Sequence, residues 1–308
     1  LVTHDAMMVI DESTTIKNPK AKRTKHLIKL APLADYRRIL TGFPITKAPL
    51  DLYSQCYFLS PNLLGFSSYY AFRARYAITQ ARTMGRHSFQ QIIGFQKLEE
   101  LQETIKDFSI RRRKEECLDL PEKVYMKRHV ELTDEQKVAY QTMKQQALMI
   151  LNEELFSTMN VLTQLMRLQQ VVAGSLRNEE GETITLKNNR IQTVLDLLEE
   201  TSGKVVIFAI FQTDIQELEK AIGEKFGEGA VASYYGKTPQ DKRQVIIDKF
   251  QDPDSELRYF VSNPQTGGRG ITLTGANTMI FYSNSYDLEL RVQAEDRIHR
   301  IGQEHSCT

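Results

Sequence analysis

The chain has 308 residues, with 40 Lys and Arg against 39 Asp and Glu, a formal net charge of +1 and 41% apolar residues. That length allows two ordinary domains with real cores, and the balance excludes a disordered chain and one whose bulk charge advertises nucleic acid. No signal-peptide pattern and no bilayer-spanning apolar run is present, and the three scattered cysteines, Cys56, Cys117 and Cys307, give neither a disulfide framework nor a metal spacing, so a reducing, cytoplasmic setting is expected.

Met7-Met-Val-Ile10 is a short apolar run that ends in Asp11-Glu12-Ser13. It reads as a buried parallel strand, whose carboxyl end is where open α/β sheets place ligands. Adjacent carboxylates there suit paired work, Asp11 on Mg²⁺ through its water shell and Glu12 on an attacking water. An N-cap role for Asp11 or Ser13 is the competing reading.

Charge then becomes local. Between Lys17 and Arg38 stand Lys17, Lys20, Lys22, Arg23, Lys25, Lys29, Arg37 and Arg38 against one acid, Asp35. Such a stripe is the electrostatic footprint of a phosphate backbone, and equally that of a solvated helix face. Tyr36 to Leu40 reads as a strand running into a Thr41-Gly42 turn closed by Pro44. Residues 46–110, rich in Tyr, Phe and Leu, read as small helices forming an insertion. Arg111-Arg-Arg-Lys114 followed by Pro121 is linker chemistry and sets a boundary near residue 120.

Residues 133–176 are helical in pattern, opened by the capping box Thr133-Asp-Glu-Gln136, with Val138, Met143, Leu165 and Leu168 among the apolar positions. From residue 190 strands and helices alternate. Strands are expected at 204–211, 230–235, 257–262 and 279–282. Helices are expected after Thr213-Asp-Ile-Gln216, after Thr238-Pro239, and over 288–301. Short connections between alternating elements imply a doubly wound parallel sheet. Gly236-Lys-Thr238 is a decoy, because a P-loop needs glycine at position 231, which is Val. On the last helix Gln293, Arg297 and Arg300 would share one face, a donor array suited to a polyphosphate.

Taken together, these motifs resemble the Swi/Snf-like branch of the superfamily-two helicase-related ATPases, in order and over nearly the whole chain. Asp11-Glu12-Ser13-Thr14 is similar to the DEAH-like Walker B, with Thr14 where the family has His. Leu40-Thr-Gly-Phe-Pro-Ile45 resembles the third motif and Val206 to Phe211 the fourth. Gly267-Gly-Arg-Gly-Ile-Thr-Leu-Thr274 resembles the fifth and Gln293 to Gln303 the sixth.

The resemblance implies an α/β fold of two RecA-like P-loop NTPase lobes with helical insertions, the first lobe truncated at its N-terminus. Residues 1–120 would belong to lobe 1, with the insertion at 46–110, and residues 121–308 to lobe 2, with an insertion at 133–176. ATP would sit between the lobes. Asp11 would hold Mg²⁺ through water and Glu12 would be the catalytic carboxylate. Arg297 and Arg300 would act as arginine fingers, with Gln293, Gly268 and Gly270 on the nucleotide. Thr41 and Gly42 would couple the lobes, and Lys237, Thr238, Thr266 and Gly267 would touch the DNA backbone. The implied activity is ATP-driven movement along DNA, duplex favoured, with no membrane role. A non-catalytic DNA-binding module of the same fold and a strand-separating helicase are the alternatives. The family's P-loop would precede Leu1, so the 308 residues are expected to be a fragment that does not hydrolyse ATP alone.

Overall fold

In the computed structural model, which describes residues 5–84, 87–152, 158–177, 183–268 and 270–308, β1 (Met7–Ile10) pairs in parallel with β2 (Tyr36–Ile39), Met7 opposite Tyr36 and Ile10 opposite Ile39. The crossover is α1 (Lys22–Leu30), preceded by a 3₁₀ turn at Ser13–Ile16. The strand is parallel as expected, yet not buried on both faces. Leu27 of α1 and Phe58 of α2 (Leu52–Leu59) cover the side carrying Met8 and Ile10, while Met7 and Val9 remain exposed. Alternation in burial is the signature of a sheet packed on one side.

The rest of this unit departs from the all-helical expectation. After α3 (Tyr69–Tyr76) come two long strands, β3 (Ala77–Met84) and β4 (His87–Phe95), paired antiparallel, then α4 (Leu98–Lys106). Ile78, Phe89 and Ile92 are β-branched or aromatic, residue types that favour a pleated surface over a helix. The aromatic residues around α3 make a small core: Tyr53, Phe66, Phe72 and Tyr76 pack together, with Phe72 and Tyr76 ring centres 4.9 Å apart. Their role is packing, in keeping with the amphipathic-helix reading of this stretch.

The chain divides into two compact units, Leu1–Arg113 and Lys114–Thr308. The second therefore takes in residues 114–120, placed by the sequence reading with the first. It opens with α5 (Lys114–Cys117), α6 (Asp134–Asn152) and α7 (Thr158–Ala173), then a small antiparallel pair, β5 (Ser175–Arg177) and β6 (Thr183–Thr185). The expected capping box forms, since Gln136 N donates to Thr133 Oγ1 and Thr133 N to Gln136 Oε1. Met143 is buried, whereas Val138 is exposed, so α6 turns a different face inward than its apolar count suggested.

The core of this unit is a four-stranded parallel sheet. α8 (Arg190–Glu200), β7 (Lys204–Phe208), α9 (Gln212–Phe226), β8 (Val231–Tyr234), α10 (Gln240–Gln251), β9 (Tyr259–Ser262), α11 (Pro264–Gly267), β10 (Ala276–Phe281) and α12 (Leu288–Glu295) follow in turn. The strand order is β10-β7-β9-β8. β7 and β9 are central and buried at every position, as a sheet covered by helices on both faces requires. Lys204, at the start of β7, is buried and donates to the carbonyls of Phe250 (2.7 Å) and Asp252 (2.5 Å). It thereby satisfies acceptors left over at the C-terminus of α10. Burial holds its pKa below the usual lysine value.

Two sequence-based caps do not form. α9 begins at Gln212 with no side-chain cap, and the Thr213 hydroxyl points instead to Ser175 Oγ at 3.5 Å. α10 begins at Gln240 after Pro239, and Thr238 closes a turn instead, its Oγ1 accepting from Tyr235 N (2.9 Å) and donating to Ser233 O (3.2 Å). In both cases a nearby partner took the hydroxyl from its own helix.

Candidate functional site

In the first unit the carboxyl ends of β1 and β2 stay latched after the strands finish. Leu40 N donates to Ile10 O at 2.9 Å and Ser13 N to Leu40 O at 3.0 Å. This sets the Asp11-Glu12 turn beside Leu40, with Thr41 and Gly42 next in the chain. Asp11 is exposed and accepts from Glu12 N through Oδ1 at 2.9 Å. Glu12 itself has φ 50° and ψ 56°, a left-handed conformation rare outside Gly, Asn and Asp. Strain of this kind gathers at functional sites. No group of three or more His, Cys, Asp or Glu able to hold a metal occurs among the described residues. One exposed carboxylate suffices for Mg²⁺, which keeps most of its waters and takes further oxygens from phosphates.

A residue with no motif binds this corner together. Gln55, in the otherwise apolar α2, is fully buried. Its Oε1 accepts from Ser13 Oγ at 2.7 Å, and its Nε2 donates to Pro44 O and Asp51 O, both at 2.8 Å. The amide thus ties the turn after β1 to the turn after β2. An amide inside an apolar helix was the available signal, and it went unread because no spacing rule marks it.

In the second unit the sixth motif is not one continuous helix. α12 ends at Glu295 and Asp296 is its C-cap, so Arg297 and Arg300 lie in the following turns and not on one face with Gln293. The reason is tertiary. Arg297 Nε donates to Gln293 O at 3.0 Å, capping a carbonyl at the helix end where a cation is favoured. Its Nη1 donates to Ile271 O at 3.0 Å, and Leu273 N donates to Arg297 O at 2.9 Å. Arg300 Nη1 reaches Thr272 Oγ1 at 3.2 Å and remains exposed. Leu273 N thus takes the Arg297 carbonyl that a continuing helix would have used. Gln293 is buried and donates to Glu289 Oε1 at 3.3 Å.

Those residues belong to the Gly-rich segment. Asn263, at the end of β9, caps the short α11 by accepting from Gln265 N (2.8 Å) and Thr266 N (3.3 Å), and it donates to Ile210 O. Gly267 and Gly268 are buried with no room for a side chain: a Cβ would stand 2.2 Å from Ser262 Oγ at the first and 2.1 Å from Pro264 O at the second. Gly270 needs its own conformational freedom, with φ +70°. Arg269 lies outside the described residues. Lys237, exposed in the turn after β8, and Thr266, in α11, both sit at the carboxyl ends of the sheet strands. The Thr238 hydroxyl is engaged in its own turn, as described above.

The acidic pair of the sixth motif is held from the start of the unit. Lys114 Nζ stands 2.6 Å from Asp296, Lys123 Nζ 3.3 Å from Glu295, and Tyr125 Oη donates to Glu295 at 2.8 Å. His299 Nε2 lies 2.7 Å from Pro121 O. A mostly apolar groove of about 550 Å³ lies between residues 123–130 and β10, and none of Gly268, Gly270, Arg297 and Arg300 lines it.

A family model described as "SNF2-related domain" matches residues 2–175, more than half of the chain, and one described as "Helicase conserved C-terminal domain" matches residues 187–302. The chain belongs to the SNF2-related family. Curated relatives include "DNA annealing helicase and endonuclease ZRANB3" of Bos taurus, 28% identical over 96% of this chain and 26% of that protein. "Putative ATP-dependent helicase/translocase YwqA" of Bacillus subtilis is 27% identical over 96% of this chain and 32% of that protein. This SNF2-related chain therefore spans less than a third of the length of either relative. Among solved structures, "Crystal structure of the C-terminal part of Fun30 ATPase domain" aligns with a TM-score of 0.51 at 21% identity, covering 61% of this chain and 84% of that one. The likeness bears out the α/β class and the RecA-like character of the sheet. No helix of the described residues is long and apolar enough to cross a membrane.

Proposed function

We propose that this SNF2-related chain is part of a DNA-dependent ATPase that uses ATP hydrolysis to move along duplex DNA. The observation that carries the reading is the seating of Arg297 and Arg300 on the Gly-rich segment at Ile271 and Thr272. It brings two permanently charged guanidiniums and a backbone loop to one place, as binding of a polyphosphate demands.

In this reading Leu1–Arg113 and Lys114–Thr308 correspond to the first and second RecA-like lobes. ATP with Mg²⁺ supplies the transferable γ-phosphoryl group and the charge that balances it. Asp11 would hold the ion, and Glu12 would orient and deprotonate the attacking water. Arg300, exposed and lightly held, acts as the arginine finger, with Arg297 beside it and Gln293 in support; Gly268 and Gly270 let backbone approach the nucleotide. Such a finger is worth about 10³–10⁵ in turnover. Thr41 and Gly42 pass the nucleotide state from the Asp11-Glu12 turn. Lys237, Thr238, Thr266 and Gly267 meet the DNA backbone, where contacts are sequence-tolerant and allow tracking. The 308 residues contain no Walker A sequence, so the chain by itself is expected not to turn over ATP.

The test is steady-state ATP hydrolysis by the complete gene product with no DNA, single-stranded DNA and duplex DNA. Greatest stimulation by duplex supports the proposal. Stimulation by single strands alone replaces it with a strand-separating helicase, and no hydrolysis by folded protein leaves a DNA-binding module.

A further inference from the structure

The basic stretch singled out in the sequence folds into α1, and the proposed chemistry leaves it unused. Thr24 is buried, its hydroxyl donating to Ile16 O at 3.2 Å, and Leu27 and Ile28 are half-buried beside it. These three positions, with buried Ala31 just beyond the helix, form the inward face. Lys22, Lys25, His26 and Lys29 recur at three- and four-residue steps on the opposite side, and all four are exposed, as is Arg23 at their flank. Among the described residues, none of Lys20, Lys22, Arg23, Lys25 and Lys29 forms an ion pair.

The placement of these charges runs against the helix that carries them. α1 has no side-chain cap and no acid in its first turn. Lys22, Arg23 and Lys25 occupy that turn instead, where the macrodipole already presents partial positive charge and cations are unfavourable. No Glu or Asp stands three or four residues from any of the lysines within the helix to offset them. A face selected for helix stability or solubility would mix signs. Violation of a local rule without a local compensation marks a surface selected for something outside the chain.

We propose that this face of α1 is a second contact surface for the phosphodiester backbone of duplex DNA, separate from the residues assigned above. The proposal rests on the reading of the protein as a DNA-dependent ATPase. From Lys22 to Lys29 the helix advances about 10 Å, the axial length of roughly three nucleotide steps, or four phosphates, of one strand at about 3.4 Å each. Three lysines on flexible stems therefore reach phosphates within that stretch without reading bases. The inward face packs into the cluster of Ile10, Ile16 and Phe58, and Leu30 is the one exposed apolar residue of α1, so the helix lacks the exposed apolar stripe that a membrane-surface helix inserts.

The experiment uses the complete protein and a fluorescent duplex, with affinity measured from about 50 to 300 mM salt. The variant combines Lys22→Gln, Lys25→Gln and Lys29→Gln. Gln is a good helix former and relieves the dipole conflict, so folding is not put at risk. The expected result is a salt slope smaller by about 2–3 and at least a tenfold weaker affinity near 0.1 M salt, similar for duplexes of unrelated sequence. ATP turnover without DNA stays at the wild-type value, and Lys→Arg at the same three positions restores the slope. A slope unchanged by the Gln variant overturns the proposal while leaving the ATPase reading intact. Wild-type protein that binds no duplex overturns both. Loss of binding to phosphatidylserine-containing vesicles with an unchanged DNA slope assigns the face to a lipid surface and also overturns the proposal.

Discussion

Ser13 Oγ donates to Gln55 Oε1 at 2.7 Å, and both residues have no exposed surface. The bond joins the turn that carries Asp11 and Glu12 to a helix whose amide also holds the carbonyls of Pro44 and Asp51. The amide adds a side-chain link between the two turns to the backbone bond from Ser13 N to Leu40 O. Gln55→Leu leaves Ser13 and two carbonyls without their partner, at a cost of about 1–3 kcal/mol. Urea unfolding of the chain measures that cost, and Ser13→Ala combined with Gln55→Leu should recover part of it through non-additivity. In the complete protein Gln55→Leu should lower the ratio of DNA-stimulated to basal hydrolysis more than it raises the KM for ATP. A ratio equal to wild type would confine Gln55 to packing.

Arg297 and Arg300 separate under mutation because the structure uses them differently. Arg297 caps α12 and bonds to Ile271, so Arg297→Ala should reduce both stability, by about 1–3 kcal/mol, and turnover. Arg300 makes one exposed bond, to Thr272, and Arg300→Ala should change stability by less than about 0.5 kcal/mol. Its DNA-stimulated turnover should nevertheless fall about a thousandfold or more. Near-wild-type turnover in Arg300→Ala would remove it from the site.

Glu12, the proposed catalytic carboxylate, stands on a strained backbone, with φ 50°. Glycine relaxes such a position. Glu12→Gly should therefore leave the chain as stable as wild type, or more stable by about 1 kcal/mol, while abolishing hydrolysis in the complete protein. Glu12→Gln should abolish hydrolysis and retain ATP binding. Clear destabilisation by Gly in a denaturation midpoint would contradict the left-handed turn.

Asp214, in the first turn of α9, is buried, with Arg190 and Glu217 as its charged neighbours and Ser283 Oγ donating to it at 3.4 Å. Burial pushes its pKa up to about 7, against the opposing pull of Arg190. A folded-state value above the unfolded one means that the folded state holds the proton more tightly. The resulting stability is complete below the unfolded value of about 3.9 and is lost as pH rises through about 7. Between about pH 4 and 8 the chain should lose on the order of 3–4 kcal/mol from this group alone. Asp214→Asn should flatten that part of the profile and raise the melting temperature at pH 8. An unchanged pH profile in the variant would refute the assignment.

The periodicities and motif strings were enough to place β1, β2 and the parallel β7–β10 sheet, because strand patterning and short βα connections are local properties of a sequence. The Gly-rich segment was legible for the same reason: a Cβ at Gly267 or Gly268 meets neighbours within a few residues in sequence. Local chemistry likewise announced the Asp11-Glu12 turn and the basic stripe of α1.

Tertiary structure decided what depended on distant partners. The sixth motif looked like one helix because its residues are good helix formers, yet the carbonyls and amides of Ile271 and Leu273 outbid the next helical turn and set the directions of Arg297 and Arg300. Thr213 left its expected cap for Ser175, far away in the sequence. Gln55 carried no motif, since its importance lies in joining turns that are some thirty residues apart in sequence. A hydrogen bond costs little to redirect while secondary structure is only local, and only burial makes leaving it unpaired expensive; until the chain folds, nothing distinguishes the partner it will take.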